Sequence, residues 1–362
     1  MKQSNLFVYI VSLVFLVPVS VSALPSEASA FRFTNPTTYP SLSDGRPVSA
    51  FDIITNIDEL KFAIKFSLKT NDDLISQDAT VQHSNRRTTG ERQSIPRLYL
   101  TKGSVWIQER AGTKWEDAGW ARFAVSQGKE GVSFDGTFTL FDSQYEVQLE
   151  GDDNESPKMI AHKRNSDFTV GNHTSHSCAT AHEEFLDKRQ LGWNAWGDNL
   201  AENIGNTYGC PNARRIANIG IMTDCTYSAS FNSSESARRY ILNMVNTASV
   251  VFENSFNVSL SIQNLTISDD ECPTTTSTST WNAPCSEGDL NSRLQSFSSW
   301  RSSISDTNAY WTLLTGCSVN GGEVGVSWIG ALCNSGSGSG AINGGASANV
   351  VARTQSEWQV FA

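Results

Sequence analysis

Hydrophobic periodicity changes character near residue 210, and that change limits the chain to two differently built parts. Before it, apolar residues recur at every second position. In "LKFAIKFSL", Phe62, Ile64, Phe66 and Leu68 alternate with polar or small residues, the pattern of a half-buried strand. "RLYLTKGSVWIQ" has the spacing of a hairpin about Lys102-Gly103. "FDGTFTLFDSQYEVQL" alternates again, with a turn expected near Asp142-Ser143. Pro, Gly and Ser punctuate these runs and no internal repeat is present, so residues 24 to about 150 read as one β-rich domain. Residues 151 to about 209 read as an interdomain linker, with polar "GDDNESPK", basic "HKRNSDF" and a short helix in "SCATAHEEFLDKRQLGW".

After Cys210 the period lengthens. Ile216 to Met222 forms a short apolar strand. In "SSESARRYILNMVNTASVVFENSF", Ala237, Ile241, Val245, Ala248 and Phe252 recur at three- or four-residue spacing, an amphipathic helix capped by Ser233 or Ser234. "VSLSIQNLTI" alternates as a strand, and Leu290, Leu294, Phe297 and Trp300 share one face of a second helix. "AYWTLLTG" and "EVGVSWIGALC" read as further strands. A Gly/Ser-rich loop near residue 336 leads to "ARTQSEWQVFA", where Thr354 and Glu357 have capping-box spacing ahead of Trp358 and Phe361. This order predicts an α/β (α+β) fold, a mixed sheet with packed helices, preceded by the β-rich part.

Charge excludes one class of partner. With 37 acidic against 27 basic residues and a net charge of −10, the chain suits neither nucleic acid nor an anionic membrane. Lys2 followed by "LFVYIVSLVFLVPVSVSA" reads as a signal peptide over residues 1–23, cleaved after Ala23, with an N-terminal membrane anchor as the alternative. The expected localisation is therefore the secretory pathway, with any other membrane anchor confined to a longer form. In that oxidising compartment Cys210, Cys225, Cys272, Cys285, Cys317 and Cys333 are disulfide candidates, while Cys178 stands apart. Six cysteines allow 15 connectivities; neighbour pairing (Cys210–Cys225, Cys272–Cys285, Cys317–Cys333) is a trial assignment. Sequons at Asn154, Asn172, Asn232, Asn257 and Asn264 fit a secreted glycoprotein.

Elimination narrows the chemistry. The five histidines are His83, His162, His173, His176 and His182, so the second domain has no imidazole of its own and no Ser–His–Asp or Cys–His site. It also lacks a Gly-x-Ser-x-Gly elbow, an aspartic dyad and a phosphate-cradling glycine loop.

"GCPNARRIANIGIMTDCTYSASFNSSESARRYILNMVN", "FNVSLSIQNLTI", "NAYWTLLTGC", "VGVSWIGALC" and "SANVVARTQSEWQVFA" follow one another in the order seen in secreted ADAM-like (reprolysin-type, metzincin) zinc metalloproteases. Residues 205–362 resemble the upstream part of that catalytic domain, in its fungal branch, and residues 24–189 more loosely resemble its prodomain. The resemblance implies a catalytic-domain part over residues 190–362. It also implies zinc as cofactor, held by a His-Glu-x-x-His-x-x-Gly-x-x-His helix expected just after Ala362, with no catalytic residue inside the chain. On that expectation the 362-residue chain alone is inactive. Histidines four apart share one helix face, and the Glu between them reaches the metal-bound water. Extended polypeptides are the implied substrates, and "VGVSWIGALC", with Gly325, Val326, Ser327, Trp328, Ile329 and Gly330, is the implied edge strand along which they pair. The prodomain is implied as intramolecular inhibitor, cut by a dibasic-cleaving protease after Lys188-Arg189 in "LDKRQL".

Three details stay open at this level. Cys178 would be the latent enzyme's zinc thiolate, although "SHSCATAH" lacks the flanks of the usual switch motif; an unpaired or intermolecular cysteine is the other reading. His173, His176, Cys178 and His182 form no recognised zinc spacing. In animal relatives the cysteine after the edge strand pairs beyond the zinc site, so Cys333 has Cys317 as a candidate partner here. A non-catalytic secreted glycoprotein acting as a binding or inhibitory module is the alternative function.

Overall fold

The computed structural model describes residues 30–39, 49–57, 63–84, 93–94, 99–109, 112–128, 131–141, 143–150, 158–164, 212–273, 281–317, 323–328, 331–334, 345–354 and 357–362. Two sheets organise them. Strands β1 (Ala30–Tyr39), β2 (Ala50–Ile57), β3 (Ala63–Thr70), β6 (Tyr99–Gln108), β7 (Glu116–Gly128), β8 (Gly131–Leu140), β9 (Ser143–Glu150) and β10 (Lys158–Lys163) close into a barrel ordered β1-β10-β9-β8-β7-β6-β3-β2. Its neighbours are antiparallel throughout.

The two-residue period explains the barrel. Ile64, Phe66 and Leu68 of β3 point inward with Phe31, Phe33, Phe123, Phe134 and Phe138 from three other strands. Phe66 meets Phe123 edge-on with centroids 5.0 Å apart, and most other ring pairs of this core are edge-on or tilted. Burying eight strands' inner faces on one aromatic core removes sheet edges that would otherwise invite aggregation.

Three expectations are corrected here. Lys102-Gly103 is no hairpin turn, because β6 runs straight through it. A Cβ on Gly103 would lie 1.9 Å from the Ser67 carbonyl oxygen, so this glycine serves the close approach of β3. The linker does not begin at residue 151, since β10 pairs with both β9 and β1 and closes the barrel. Finally, the one β-rich domain expected over residues 24 to about 150 does not keep all its strands: β4 (Ile75–Ser84) and β5 (Gln93–Ser94) join the second sheet.

That second, seven-stranded sheet has the order β14-β15-β13-β11-β12-β4-β5. β11 (Arg215–Thr223) lies at its centre, parallel to β12 (Val258–Ser268) and to β13 (Tyr310–Thr315), which is parallel to β15 (Ala348–Ala352). β14 (Gly325–Ser327) runs antiparallel at one edge. A short helix α1 (Cys225–Ser228) follows β11. The long helix α2 (Ser234–Phe256) connects onward to β12, starting at Ser233 with a capping box to Ser236 and ending at Asn257 in the left-handed region. Its stripe of Ile241, Val245 and Ala248 packs on Ile219, Leu260 and Ile262, and Ala237 of the same stripe is buried. On the sheet's other side, α3 (Leu290–Ser302) sets Leu290, Leu294 and Phe297 against Leu313 and Val350, capped by Asp289. Mixed α+β architecture is thus as the periodicity predicts.

Candidate functional site

The site is assembled where β14, β15 and the final helix α4 (Glu357–Phe361) meet. β14 pairs with β15 through Gly325↔Val351, Val326↔Val350 and Ser327↔Asn349. Val326 is buried against the α3 side of the sheet while Ser327 is exposed. The outer edge of β14 pairs with no strand among the described residues, which leaves backbone donors and acceptors for an added strand. Of the six residues expected to form this edge, Gly325, Val326 and Ser327 do; Trp328 continues without strand pairing, and Ile329 and Gly330 lie outside the described residues. Trp328 instead lies against Gly345, where a Cβ would come within 2.5 Å of the indole.

Helix α4 is fixed by a buried charge cluster. A Cβ on Gly325 would stand 2.7 Å from Val360, so glycine lets the helix approach the edge strand. The Glu357 carboxylate accepts hydrogen bonds from Tyr227 (2.7 Å) and Tyr240 (3.3 Å). Arg353 lies over Phe231, Tyr240 and Tyr227, 4.0, 4.9 and 5.5 Å from their ring centres. Burial pushes the Glu357 carboxyl up to about 7, against the two tyrosine hydrogen bonds and the Arg353 charge that pull it down. Burial and the Glu357 charge likewise raise both tyrosine hydroxyls. The expected capping box is therefore corrected. Glu357 turns into this cluster rather than back to Thr354, whose hydroxyl has no hydrogen-bond partner among the described residues.

A second network lies beside it at the same, C-terminal end of β11, with Tyr227 shared between the two. Asp224, fully buried, accepts from the Tyr227 amide (2.8 Å), Thr226 (2.6 Å) and Thr315, and pairs with Arg293 of α3 at 2.9 Å. Burial pushes its carboxyl up while these donors resist. Disulfides Cys225–Cys272 and Cys285–Cys317 brace the same region. They correct the neighbour assignment, because sequence proximity ignores which chain ends the sheet brings together. Cys333 is free and exposed, so it pairs with neither Cys317 nor another described cysteine. Cys210 lies outside the described residues, as do Cys178, His173, His176, His182, Lys188, Arg189, Asn154 and Asn172.

Among the remaining sequons, Asn232 is exposed and Asn257 caps α2. Asn264 is corrected as a glycosylation candidate. It sits inside β12, where its amide donates to Thr80 (3.2 Å) and accepts from Asn308 (2.8 Å).

The described side chains do not fit a zinc ion. No group of three His, Cys, Asp or Glu among the described residues could hold one, and the two described histidines, His83 on β4 and His162 on β10, stand on different sheets. No described helix is long and apolar enough to cross a membrane.

Sequence reasoning missed the junction between barrel and α2. Lys102 and Arg122, from β6 and β7, both reach Glu253 of α2, and all three are buried. Arg239 pairs with Asp135 of β8. A signal existed: Lys102 and Glu253 are charged residues inside strongly apolar windows.

Comparison with known proteins agrees with this geometry. The sequence signature of Metallo-peptidase family M12 matches residues 212–362, the part that forms the second sheet apart from β4 and β5. A disintegrin and metalloproteinase domain-containing protein B from Aspergillus fumigatus is 30% identical over 424 residues, covering 98% of this chain and 53% of that protein. Proteins of the same description from Arthroderma otae and Trichophyton verrucosum are each 32% identical, covering 87% of this chain and 48% of theirs. The chain spans about half the length of the curated relatives it matches. Residues 212–362 thus match Metallo-peptidase family M12, and the chain is similar over most of its length to fungal disintegrin and metalloproteinase domain-containing B proteins.

Proposed function

We propose that the chain is part of a secreted zinc metalloendopeptidase zymogen, with residues 24–189 as prodomain and β14 as the edge that receives extended polypeptide substrates. The observation that carries this reading is the division of the second sheet. Its β14 edge is free among the described residues, whereas the β12 edge and the outer face of α2 are taken up by the N-terminal part. An extended substrate adding to β14 would draw affinity from backbone pairing and selectivity from the side chains beside it. The family's hydrolysis uses zinc; the described residues offer no ligand set that fits, so no step is assigned through a metal.

The dibasic Lys188-Arg189 lies between the two folded parts, which supports processing there, outside the described residues. The other dibasic pairs on described elements, Lys163-Arg164 at the end of β10, Arg214-Arg215 at the start of β11 and Arg238-Arg239 within α2, are held in sheet pairing or a helix and offer a processing protease no free extended chain. The test is secretion of the full gene product that contains residues 1–362. N-terminal sequencing should find Gln190, and the processed material should cleave denatured casein in a chelator-sensitive way. Processed product without proteolysis would overturn the protease reading and favour a binding module.

A further inference from the structure

Lys102 and Arg122 stand directly opposite each other on adjacent barrel strands. Like charges in that position repel, and here both are nine-tenths buried. From the N-terminal part Lys102 has only the partly exposed Asp73, at 3.8 Å. Glu253 of α2 supplies the anion, 2.8 Å from Lys102 and 3.2 Å from Arg122, with Arg214 at 3.6 Å from the same carboxylate.

A second bond between the two parts is a strand. β4 lies parallel to β12 with Asn264↔Thr80, Leu265↔Val81, Thr266↔Gln82 and Ile267↔His83 in register. Without β4, the outer edge of β12 would be bare. Leu74 and Val81, from the N-terminal part, belong to the same buried core as Ile241, Ile262 and Leu265 of the metallo-peptidase part. Leu100 and Ala124, from the outward face of the barrel, join that core as well. Polar groups match across the junction too: Asn71 donates to Asn246 of α2 (2.8 Å), which donates to the Thr101 carbonyl (3.1 Å).

We propose that the outer edge of β12 is a second strand-binding edge of the sheet, opposite β14, and that the N-terminal unit stays seated there after its linker is cut. Cutting and release are then separate steps, and the released metallo-peptidase part carries an open β12 edge able to accept another extended strand. The proposal rests on the reading of residues 24–189 as a prodomain, but its test does not depend on proteolytic activity.

The full chain is nicked by limited proteolysis within residues 165–211, between the described parts, and run on gel filtration without denaturant. Both fragments should elute together at the mass of the intact chain and separate only in denaturant. Glu253→Gln, which takes the carboxylate from Arg122 and leaves Lys102 only Asp73 at 3.8 Å, should weaken retention about 100-fold or more. A Thr80→Cys/Asn264→Cys pair, at register partners whose side chains lie 3.2 Å apart, should cross-link the nicked fragments through a disulfide. Fragments that part on nicking, or a cysteine pair that never cross-links in folded protein, would overturn the proposal. A nicked complex that holds together while the full gene product hydrolyses no protein refutes only the protease reading.

Discussion

Glu357→Gln should abolish a pH dependence of stability that the wild-type chain carries. The carboxyl is almost fully buried and titrates at about 7 in the folded protein against 4.5 in the unfolded chain. That gap corresponds to about 3 kcal/mol at 1.36 kcal/mol per pH unit. The sign follows from proton counting. Below pH 4.5 both states hold the proton, and the stabilising contribution is complete. As pH rises from 4.5 to about 7, the unfolded chain releases its proton while the folded chain keeps it, so stability falls. Above about 7 the contribution is gone, and the folded state carries a buried carboxylate supported by Tyr227, Tyr240 and Arg353. Glutamine keeps an acceptor for Tyr227 and never titrates. The assay is urea unfolding followed by tryptophan fluorescence from about pH 4.5 to about 8, reading midpoints at constant m. Relative to wild type, the Gln variant should gain about 3 kcal/mol across that range. Parallel pH profiles for the two proteins would refute the reasoning, because they would mean that Glu357 is solvated or already ionised in the acid range.

Asp224→Asn leaves Arg293 as a buried, unmatched cation and should cost about 3–5 kcal/mol in urea unfolding; a loss under about 1 kcal/mol would mean that the Ala283 and Pro284 carbonyls suffice for Arg293. Gly220→Ala places a methyl 2.2 Å from the Trp311 ring and should destabilise by about 1–3 kcal/mol, read by thermal melting, whereas an unchanged melting temperature would show that the indole moves aside freely. In the full gene product, Cys178→Ala should be proteolytic before prodomain removal if this thiol is the latency ligand, and equal latency of variant and parent would leave the docked barrel as the restraint. Peptide mapping of secreted protein should find a glycan on exposed Asn232 and none on Asn264, whose amide is bonded inside the sheet; a glycan on Asn264 would contradict the β4–β12 pairing.

Local rules made much of the architecture legible. The two-residue alternation of Ile64, Phe66 and Leu68 fixes which face of β3 is buried, because successive side chains must point to opposite sides of a strand. The 3.6-residue stripe on α2, with Ser233 ahead of it, defines that helix and its start, since capping and amphipathicity act within a few residues. The order of motifs after Cys210 was enough to point to the family. What alternation cannot specify is which strand finds which partner. β4 carries the same kind of pattern as its barrel neighbours yet pairs with β12, about 180 residues away, because only the assembled core offers Val81 and Leu74 a place among Ile262 and Leu265. The same holds for charge and sulfur. Lys102 in a strand and Glu253 in a helix look like local anomalies until the two parts meet, and Cys225 finds Cys272 because the sheet, not the chain, sets their distance. Sequence determined the elements, their faces and the family; tertiary structure alone decided the pairings, because pairing energy comes from surfaces that exist only once the chain is folded.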